Sequence, residues 1–304
     1  MLIGKVQQIW RYPLKSMSGE TLNECVAGSL GLPGDRGWAL RDEKTREITN
    51  AKRIPLLMQC AARYRDQPGN GSIPQVEITL PDGSQLGSDD ENVNERLSTV
   101  LGKSVTLWPL QDPSNKTHYR RGSMAARLTR FKLVRDQLPL LLRMPGVDAS
   151  LRETFSRNAD EPLPDLSQLP PEILEFTSPL GTYFDAFPIH LLTTSSLKAM
   201  ANLNAMAAWD VRRFRPNFLI ETGEGIEGLI EADWAGRQLR VGELALKCEI
   251  PTVRCGMTTH AQGGLPKDPS VLRSIVKDAR QNLGVYASVV RGGRVALNDR
   301  VELL

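Results

Sequence analysis

The second half of the chain contains two groups of residues whose chemistry would suit an anion and a soft metal bound side by side. A cluster of three arginines surrounds the start of this region, namely Arg212, Arg213 and Arg215. Further along the chain, Arg254 precedes Cys255. A neighbouring cation favours the thiolate form of cysteine, which ligates metals and attacks electrophiles. The pattern therefore predicts an anionic cofactor with a soft metal, although the spacing alone also fits an ordinary loop cysteine.

Cations near three predicted strand ends could extend this site. Lys15, Arg36 and Arg215 each lie close to a proline or glycine where a predicted strand begins or ends. Backbone amides and cations at such positions can hold a phosphate together. Taken singly, each residue also fits the commoner description of a solvated surface charge.

The other cysteines are predicted to be structural. Cys248 is in phase with the apolar residues Leu246 and Ile250, so we expect its side chain to point into the core. Cys25 and Cys60 have no setting comparable to that of Cys255. No C-x-x-C pair occurs among the four cysteines, which argues against a zinc ribbon and against a dense disulfide framework.

The three histidines, His118, His190 and His260, are too widely separated in sequence to predict a metal triad. His190 lies in an apolar run, which indicates a structural role. His260 follows Cys255 closely and is a candidate proton donor.

A glycine pattern at residues 223–228 matches G-x-G-x-x-G, the fingerprint of dinucleotide-binding folds. The fingerprint requires a full helix after the glycines, but Trp234-Ala235-Gly236 follows within a few residues. We therefore interpret the pattern as a turn. Serine hydrolases, zinc proteases and P-loop nucleotide hydrolases also lose support, since their motifs are not found in the sequence.

Composition narrows the class of protein further. A chain of 304 residues with 40% hydrophobic content can bury the core of one large domain or two ordinary domains. The net charge of +3, from 38 basic and 35 acidic residues, is too small to indicate a nucleic-acid surface. No segment is apolar and long enough for a membrane helix or a secretion signal. We expect a cytoplasmic protein with a small-molecule partner, and neither a nucleic-acid nor a membrane partner.

The first part of the chain has mostly strand patterns. Residues 1–12 predict a strand that ends at Pro13 and leads into the loop that carries Lys15. A second strand is predicted at residues 38–40, and residues 76–80 lead into a Pro-Asp-Gly hairpin turn. A helix is predicted from Ser88 or Asp89 to Leu101, followed by an extended segment over residues 104–110.

The second part begins with a loop-rich connection and then returns to regular structure. Prolines scattered over residues 111–180 predict a loop that could carry a functional lid. Ser195 or Ser196 is expected to cap a helix through Leu203. A half-buried strand is predicted over residues 244–250 and is expected to break at Pro251. After a helix that begins at Asp268-Pro269 and stops before Gly284, three short strands are predicted.

These patterns predict a mainly β fold with a few helices, in the α+β class, with a barrel or sandwich in preference to a doubly wound sheet. We place one domain at residues 1–118 and a second at residues 119–304, of which residues 119–180 are loop-rich.

Four motifs in order resemble the MOSC family, named after the C-terminal domain of molybdenum cofactor sulfurase. They are Tyr12-Pro13-Leu14-Lys15-Ser16, Gly34-Asp35-Arg36-Gly37-Trp38, Phe214-Arg215-Pro216-Asn217 and Arg254-Cys255, and the ending from Leu283-Gly284-Val285-Tyr286 to Val301 is also similar. The resemblance runs almost end to end and implies a β-barrel-type MOSC domain packed against a smaller, β-rich N-terminal MOSC barrel domain. Within the family, the chain looks most like the molybdenum-containing reductases of N-hydroxylated compounds, the amidoxime-reducing group.

The resemblance also implies a cofactor and a set of site residues. The cofactor is the molybdenum cofactor, in which one molybdopterin dithiolene binds the metal, and Cys255 would supply a thiolate ligand to molybdenum. The residues implied to hold the pterin and its phosphate are Lys15, Ser16, Arg36, Arg215, Asn217 and, beside the thiol, Arg254. Asp185 and Thr193 also fit family positions, and Asp185 or His260 would pass a proton.

The resemblance implies the reduction R-NHOH + 2 H⁺ + 2 e⁻ → R-NH₂ + H₂O. Val253 stands where these reductases often have a small polar residue, which removes one possible hydrogen bond to the cofactor. The ferredoxin spacing C-x₄-C-x₂-C is not found among the four cysteines, so electrons are expected from a separate ferredoxin, cytochrome or flavoprotein. Two alternatives remain, a sulfur carrier with a Cys255 persulfide and a non-catalytic cofactor-binding protein.

Overall fold

A computed structural model describes residues 1–69, 73–122, 145–166, 170 and 172–304. Strands dominate the described part of the chain. In chain order they are β1 (Leu2–Arg11), β2 (Glu20–Leu22), β3 (Glu24–Ala27), β4 (Trp38–Asp42), β5 (Glu47–Ile48), β6 (Ala61–Tyr64), β7 (Val76–Thr79), β8 (Gln85–Gly87), β9 (Val105–Pro109), β10 (Ile189–Thr193), β11 (Phe218–Thr222), β12 (Gln238–Val241), β13 (Leu244–Val253), β14 (Asn282–Arg291), β15 (Gly293–Ala296) and β16 (Arg300–Leu303).

The helices are short. The described α-helices are α1 (Val93–Leu101), α2 (Lys116–Tyr119), α3 (Pro145–Phe155), α4 (Glu172–Glu175), α5 (Thr194–Leu203) and α6 (Pro269–Asp278). Single 3₁₀ turns occupy Pro55–Gln59, Val211–Arg213, Ile230–Trp234 and Gly256–Thr259. The prediction of a mainly β fold with a few helices is confirmed.

Seven of the described strands form a closed barrel. Their order around the barrel is β11, β10, β14, β13, β12, β16 and β1, and β1 pairs again with β11. All of these pairs are antiparallel except β10 with β11, which are parallel and joined through α5. The first strand of the chain therefore closes a barrel whose other strands all come from the second half. The predicted domain boundary between residues 118 and 119 stays a prediction.

The barrel is filled by apolar side chains from every strand. In β1, Ile3, Val6 and Ile9 are all buried although their spacing is odd. The pairing shifts register between Leu2 and Gly4 against β16 and between Val6 and Gln8 against β11, and these two irregularities keep the three side chains facing inward. In β13, burial alternates along the whole strand, and Cys248 lies in the core as predicted.

The prediction that Pro251 ends its strand is wrong. β13 continues to Val253, and its pairing with β14 shifts register on both sides of Pro251. A bulge accommodates a residue without a backbone N–H. The cysteine loop therefore begins two residues later than expected, directly after Val253.

The N-terminal part forms a second core against the barrel. Two three-stranded sheets, β5-β4-β9 and β6-β7-β8, enclose it, and α1 covers it. The predicted Pro-Asp-Gly hairpin is present between β7 and β8. α1 begins at Val93 and not at Ser88 or Asp89, because Ser88 bonds back to Val76 of β7 and Asp90 accepts a hydrogen bond from Gly87 of β8.

The ends of two C-terminal helices also differ from the predictions. Thr193 caps α5 in place of Ser195 or Ser196, and its hydroxyl accepts a hydrogen bond from the Ser196 backbone N–H. Asp268 and Pro269 start α6 as predicted, but the helix ends at Asp278 because Arg280 and Gln281 adopt left-handed backbone angles before β14 begins. The 223–228 glycine pattern is followed by a 3₁₀ turn, which confirms that it is a turn and not a dinucleotide fingerprint.

Replacing Gly4 with alanine tests the seam that closes the barrel. A Cβ at Gly4 would lie 1.9 Å from the carbonyl oxygen of Glu221 in β11, so the strands would have to separate. We expect a loss of about 1–3 kcal/mol in the free energy of unfolding, measured by denaturant titration. Gly28→Ala is the control, since nothing lies within 4 Å of that Cβ, and it should change stability by less than about 0.5 kcal/mol. Equal unfolding midpoints for both variants would refute the role of Gly4.

Candidate functional site

A pocket opens where loops from both halves of the chain meet. It has about 590 Å³ of empty space, counting its open mouth. Its lining residues are Arg36, Phe184, Asp185, Phe187, His190, Arg213, Phe214, Arg215, Val253, Arg254, Cys255, Met257, Thr258 and Tyr286. The structure therefore brings together five of the residues predicted from sequence, which are Cys255, Asp185, Arg36, Arg215 and Arg254.

The Cys255 thiol is placed by the tight turn that follows β13. Cys255 has an extended backbone and precedes the 3₁₀ turn Gly256–Thr259. Its carbonyl oxygen accepts hydrogen bonds from the backbone N–H and the hydroxyl of Thr258, at 3.2 and 3.0 Å. The side chain is half-buried and borders the pocket, so a bound group could reach the sulfur.

Arg254 is buried next to the thiol and has unused hydrogen-bonding capacity. Its Nη2 donates to the Phe214 carbonyl at 2.7 Å, and its guanidinium carbon lies 5.2 Å from the centre of the Phe214 ring. Its Nε is buried and has no hydrogen-bond partner among the described residues. Burial lowers the pKa of Arg254, while Tyr286 and Cys255 oppose that effect. A buried N–H without a partner is costly, so this atom favours an acceptor on a ligand.

Arg36 and Arg215 contact the ring of Tyr12. The guanidinium carbons lie 4.7 and 4.2 Å from the ring centre, within the range of a cation–π contact. Arg36 forms an ion pair with Asp35, and Arg215 donates to the Met17 carbonyl. Burial and the neighbouring Arg36 lower the pKa of Arg215 to about 10. Burial alone would lower the pKa of Arg36, but Asp35 and Tyr12 raise it above its ordinary value.

Left-handed backbone angles mark three of the predicted site residues. Ser16, Arg36 and Arg215 have φ angles of 70°, 51° and 54°. Residues other than glycine rarely adopt this region, and those that do cluster at functional sites. The folded chain holds these residues against their local preference, which places the two arginines at the pocket.

Lys15 reaches the pocket only through Asp185. Lys15 is buried, and its Nζ donates to Asp185 Oδ1 at 2.8 Å and to the Tyr183 carbonyl at 2.7 Å. The Asp185 side chain is 64% exposed and borders the pocket. Burial opposes ionisation of Asp185, but Lys15 and Arg36 hold its pKa well below the ordinary value. Asp185 is therefore an ionised acceptor at neutral pH.

An aromatic cluster packs next to Tyr183, whose carbonyl accepts a hydrogen bond from Lys15. His118 Nε2 and the Tyr183 hydroxyl lie 2.7 Å apart, and the rings of Trp108 and Tyr119 pack around His118. Burial and the nearby Arg41 lower the pKa of His118 to about 4. His118 is thus neutral in the folded protein at neutral pH.

Besides Lys15, four predicted site residues do not border the pocket. Asn217 joins the two halves of the chain, because its Oδ1 accepts from the His190 backbone N–H and its Nδ2 donates to Asp35, both at 3.0 Å. Ser16 accepts a hydrogen bond from the backbone N–H of Ala51 at 3.1 Å.

The other two residues that do not border the pocket are Thr193 and His260. Thr193 caps α5 and donates to the buried carboxylate of Glu231 at 2.8 Å. His260 is half-buried after the 3₁₀ turn, and its carbonyl accepts from Arg213 at 3.3 Å. In this structure both residues support loops and helices around the site.

His190 and Tyr286 border the pocket although sequence reasoning gave them no functional role. Their ring centres are 5.5 Å apart on the adjacent strands β10 and β14. The Nε2 atom of His190 is buried without a partner among the described residues, and burial and Arg254 hold the pKa of His190 well below its ordinary value. Every residue of β10 is buried, so no alternation in the sequence could separate this histidine from the core.

The described residues contain no group of three or more His, Cys, Asp or Glu side chains arranged for a metal ion. A metal bound at Cys255 would therefore need most of its ligands from elsewhere. No helix in the described ranges is both long and apolar enough to cross a membrane.

Two protein families match this chain. Residues 3–117 match the MOSC N-terminal beta barrel domain, and residues 181–302 match the MOSC domain. The chain is similar to mitochondrial amidoxime reducing component 2 of Rattus norvegicus. The alignment is 323 positions long, has 25% identity, and covers 98% of this chain and 83% of the relative. It is also similar to mitochondrial amidoxime-reducing component 1 of Xenopus laevis, in an alignment of 330 positions with 23% identity that covers 98% of this chain and 82% of the relative.

Solved structures give weaker similarities. The YuaD protein from Bacillus subtilis aligns over 99% of this chain and 96% of its own, with a TM-score of 0.40 and 12% identity. YiiM from Geobacillus stearothermophilus aligns over 39% of this chain and 54% of its own, with a TM-score of 0.29 and 15% identity.

The position of Cys255 predicts its order of reaction among the four thiols. Cys60 and Cys248 are fully buried, and burial raises their pKa values to about 11 and about 12. Burial also raises the pKa of Cys25 to about 12. Iodoacetamide labelling of the native protein followed by peptide mass spectrometry should modify Cys255 first. Labelling of Cys248 before Cys255 in folded protein would contradict the described pocket.

The neutral state of His118 predicts how stability depends on pH. Between pH 6.5 and about 4, His118 is protonated in the unfolded chain but not in the folded chain. The stability that the folded protein gains from neutral His118 is therefore complete above pH 6.5 and is lost as the pH falls toward about 4. His118→Gln should reduce the loss of unfolding free energy over this range by on the order of 2–3 kcal/mol. Denaturant titrations at several pH values measure it. Parallel stability curves for wild type and variant would show that His118 is not the titrating group.

Proposed function

Because the chain belongs to the MOSC family, with an N-terminal MOSC β-barrel domain followed by a MOSC domain, we propose that its pocket binds a molybdenum cofactor. The observation that carries the proposal is the Cys255 thiol beside Arg36, Arg215 and Arg254 in one pocket, where Arg215 and Arg254 are buried and the Arg36 side chain is 14% exposed. The protein would act as an oxidoreductase on N-hydroxylated compounds, with electrons from a separate donor protein. The similarity to amidoxime-reducing components over 98% of this chain supports this substrate class.

The residues of the pocket fit such a cofactor. Thiolate is a suitable ligand for a soft metal, and a dithiolene-bound metal brings its remaining ligands with it. This matches a pocket in which Cys255 has no cluster of His, Cys, Asp or Glu ligands around it in the described part of the chain.

The arginines would hold the anionic part of the cofactor. Arg36, Arg215 and Arg254 carry positive charge in a buried setting, and Asp35 is the acidic residue that pairs with Arg36. Arginine suits phosphate because its planar donors can form two parallel hydrogen bonds. The unpaired Nε of Arg254 is one donor available for this purpose.

The bound cofactor would supply the two-electron redox chemistry, and the protein would supply position and charge. Asp185 remains ionised because Lys15 pairs with it, so it would accept a hydrogen bond from the N–H or O–H of a substrate in place of donating a proton. Lys15, Ser16, Thr193 and Asn217 would act indirectly, by holding the loops that carry the pocket residues. His260, which does not border the pocket, would have no direct contact with substrate.

Cys255→Ala tests the metal-ligand role. We expect the variant, expressed in a host that makes the cofactor, to lose reductase activity and most of its molybdenum. The loss should exceed the roughly 10–100-fold effect of removing a residue that only supports a ligand. Pterin should be retained in part, because the arginines remain. Elemental analysis, pterin fluorescence and turnover of an amidoxime measure these quantities, with Cys25→Ala as the matched cysteine control.

Three outcomes would replace the proposal. Full retention of molybdenum and activity in the Cys255→Ala protein would remove Cys255 as the ligand. A labile sulfane sulfur on wild-type Cys255 without molybdenum would indicate a sulfur carrier. Stoichiometric cofactor without turnover, with any reductant, would indicate a non-catalytic cofactor-binding protein.

A further inference from the structure

The segment between the two matched domains contacts the loop that carries Cys255. The family matches cover residues 3–117 and 181–302, so α3 and the residues after it lie outside both. Arg157 in this segment is only 6% exposed, whereas Ser156 and Asn158 on either side are exposed. A buried arginine in an exposed segment requires a set of partners, and these partners identify its role.

Arg157 binds two elements that lie far from it in sequence. Its Nη2 donates to the carbonyl oxygen of Arg254 at 2.9 Å, and its Nε donates to Gln281 Oε1 at 2.9 Å. A third donor, Nη1, bonds the Phe155 carbonyl at 2.8 Å and fixes the guanidinium to its own segment. The planar guanidinium therefore connects α3, the cysteine loop and the turn before β14.

The backbone next to Cys255 is held on both sides. The Arg254 N–H donates to the Gln281 carbonyl at 2.9 Å, and the Arg254 carbonyl accepts from Arg157. Because Gln281 also accepts from Arg157, the three residues form one closed network of hydrogen bonds. The peptide unit between Arg254 and Cys255 has its carbonyl inside this network, so a change at Arg157 would alter the direction of the thiol.

The fit between the two segments is close. A Cβ at Gly256 would lie 2.2 Å from Ser156 Oγ, so a larger residue at this position would force Ser156 to shift away from the cysteine loop. From α6, Arg273 donates to the Ser156 carbonyl and pairs with Glu161. The segment that carries Arg157 is thus held by its packing against Gly256 and by the bonds from Arg273 of α6.

We propose that Arg157 is a positioning residue for Cys255, which holds the Arg254–Cys255 backbone in place from a segment outside both matched domains. Arg157 does not border the pocket, so it acts through the loop and not on a ligand. The alternative is an arginine that stabilises the whole fold without a specific effect on the cysteine loop. A positioning role predicts that changing Arg157 makes the cysteine loop more mobile, whereas a general stabilising role predicts that the whole fold becomes more mobile.

Hydrogen exchange on the cofactor-free, full-length chain separates these two possibilities. For Arg157→Gln we expect amides in residues 251–262 to exchange on the order of tenfold faster, because a charged hydrogen bond to the backbone is lost. Barrel amides in β1 and β14 should change by less than about twofold. Peptide-resolved mass spectrometry measures both.

Arg152→Gln is the matched control. Arg152 lies in the same segment and donates to the carbonyls of Asn158 and Glu161, at 2.7 and 2.8 Å, but among the described residues it forms no hydrogen bond or ion pair with the cysteine loop. Its loss should leave exchange in residues 251–262 unchanged. Equal acceleration in both variants, uniform acceleration over the barrel, or no acceleration for Arg157→Gln would each overturn the proposal.

Arg157→Lys is the conservative variant, and it decides the matter if Arg157→Gln fails to fold. Lysine keeps the charge, but its single ammonium group cannot reproduce the fork that binds Arg254 and Gln281 together. We expect an intermediate acceleration of about threefold over residues 251–262. Exchange equal to that of wild type would show that the fork is not needed.

Turnover of the cofactor-loaded chain extends the test and rests on the proposed function. There kcat should fall about tenfold in Arg157→Gln with KM nearly unchanged, since the residue positions a ligand and does not touch substrate. If wild type binds no molybdenum, the proposed function fails, while the exchange measurement still decides the role of Arg157.

Discussion

The gathering of Arg36, Arg215 and Arg254 in one pocket is the feature on which the rest of the site depends. Positive charges in a poorly solvated space repel one another strongly unless something separates or neutralises them. Tyr12 lies against both Arg36 and Arg215, and Phe214 lies against Arg254. Asp35 offsets the charge of Arg36, whereas aromatic faces and backbone carbonyls stabilise Arg215 and Arg254 without cancelling their charge. The pocket is therefore already arranged for an anion before one arrives.

This arrangement explains why the chain accepts unfavourable backbone angles there. A left-handed conformation at Arg36 or Arg215 costs on the order of 1 kcal/mol or more, and it persists only where surrounding contacts impose it. Asp35 supplies such contacts, because it accepts hydrogen bonds from the Tyr12 backbone and from Asn217 and also pairs with Arg36. One buried carboxylate thus holds together loops from opposite ends of the chain, and a residue predicted to bind cofactor, Asn217, has its amide group committed to that carboxylate and to the backbone.

The sequence was sufficient for the fold class and for five of the residues that line the pocket, Cys255, Asp185, Arg36, Arg215 and Arg254. Alternation along β13 shows its buried face, and the motifs around Arg36, Arg215 and Cys255 are short local segments that resemble a known family. Features that depend on tertiary pairing could not be predicted in this way. Pro251 stays within its strand only because bulges against β14 accommodate it. Arg157 resembles any exposed arginine until its segment packs against the cysteine loop.

The position of β1 has a consequence for the order in which the protein is made. In the first half of this strand, Gly4 pairs with Thr222 on one side and Val301 on the other, so neither edge there can pair until long after this segment has left the ribosome. The end of the strand, from Ile9 to Arg11, pairs locally with β2. Pairings as distant as those of Gly4 are slow to form, and unpaired strand edges favour aggregation. During synthesis, the first half of β1 therefore keeps unpaired edges until the C-terminal strands have been made. Tyr12 and Lys15 follow this strand directly, so the anion pocket is assembled among the last steps of folding.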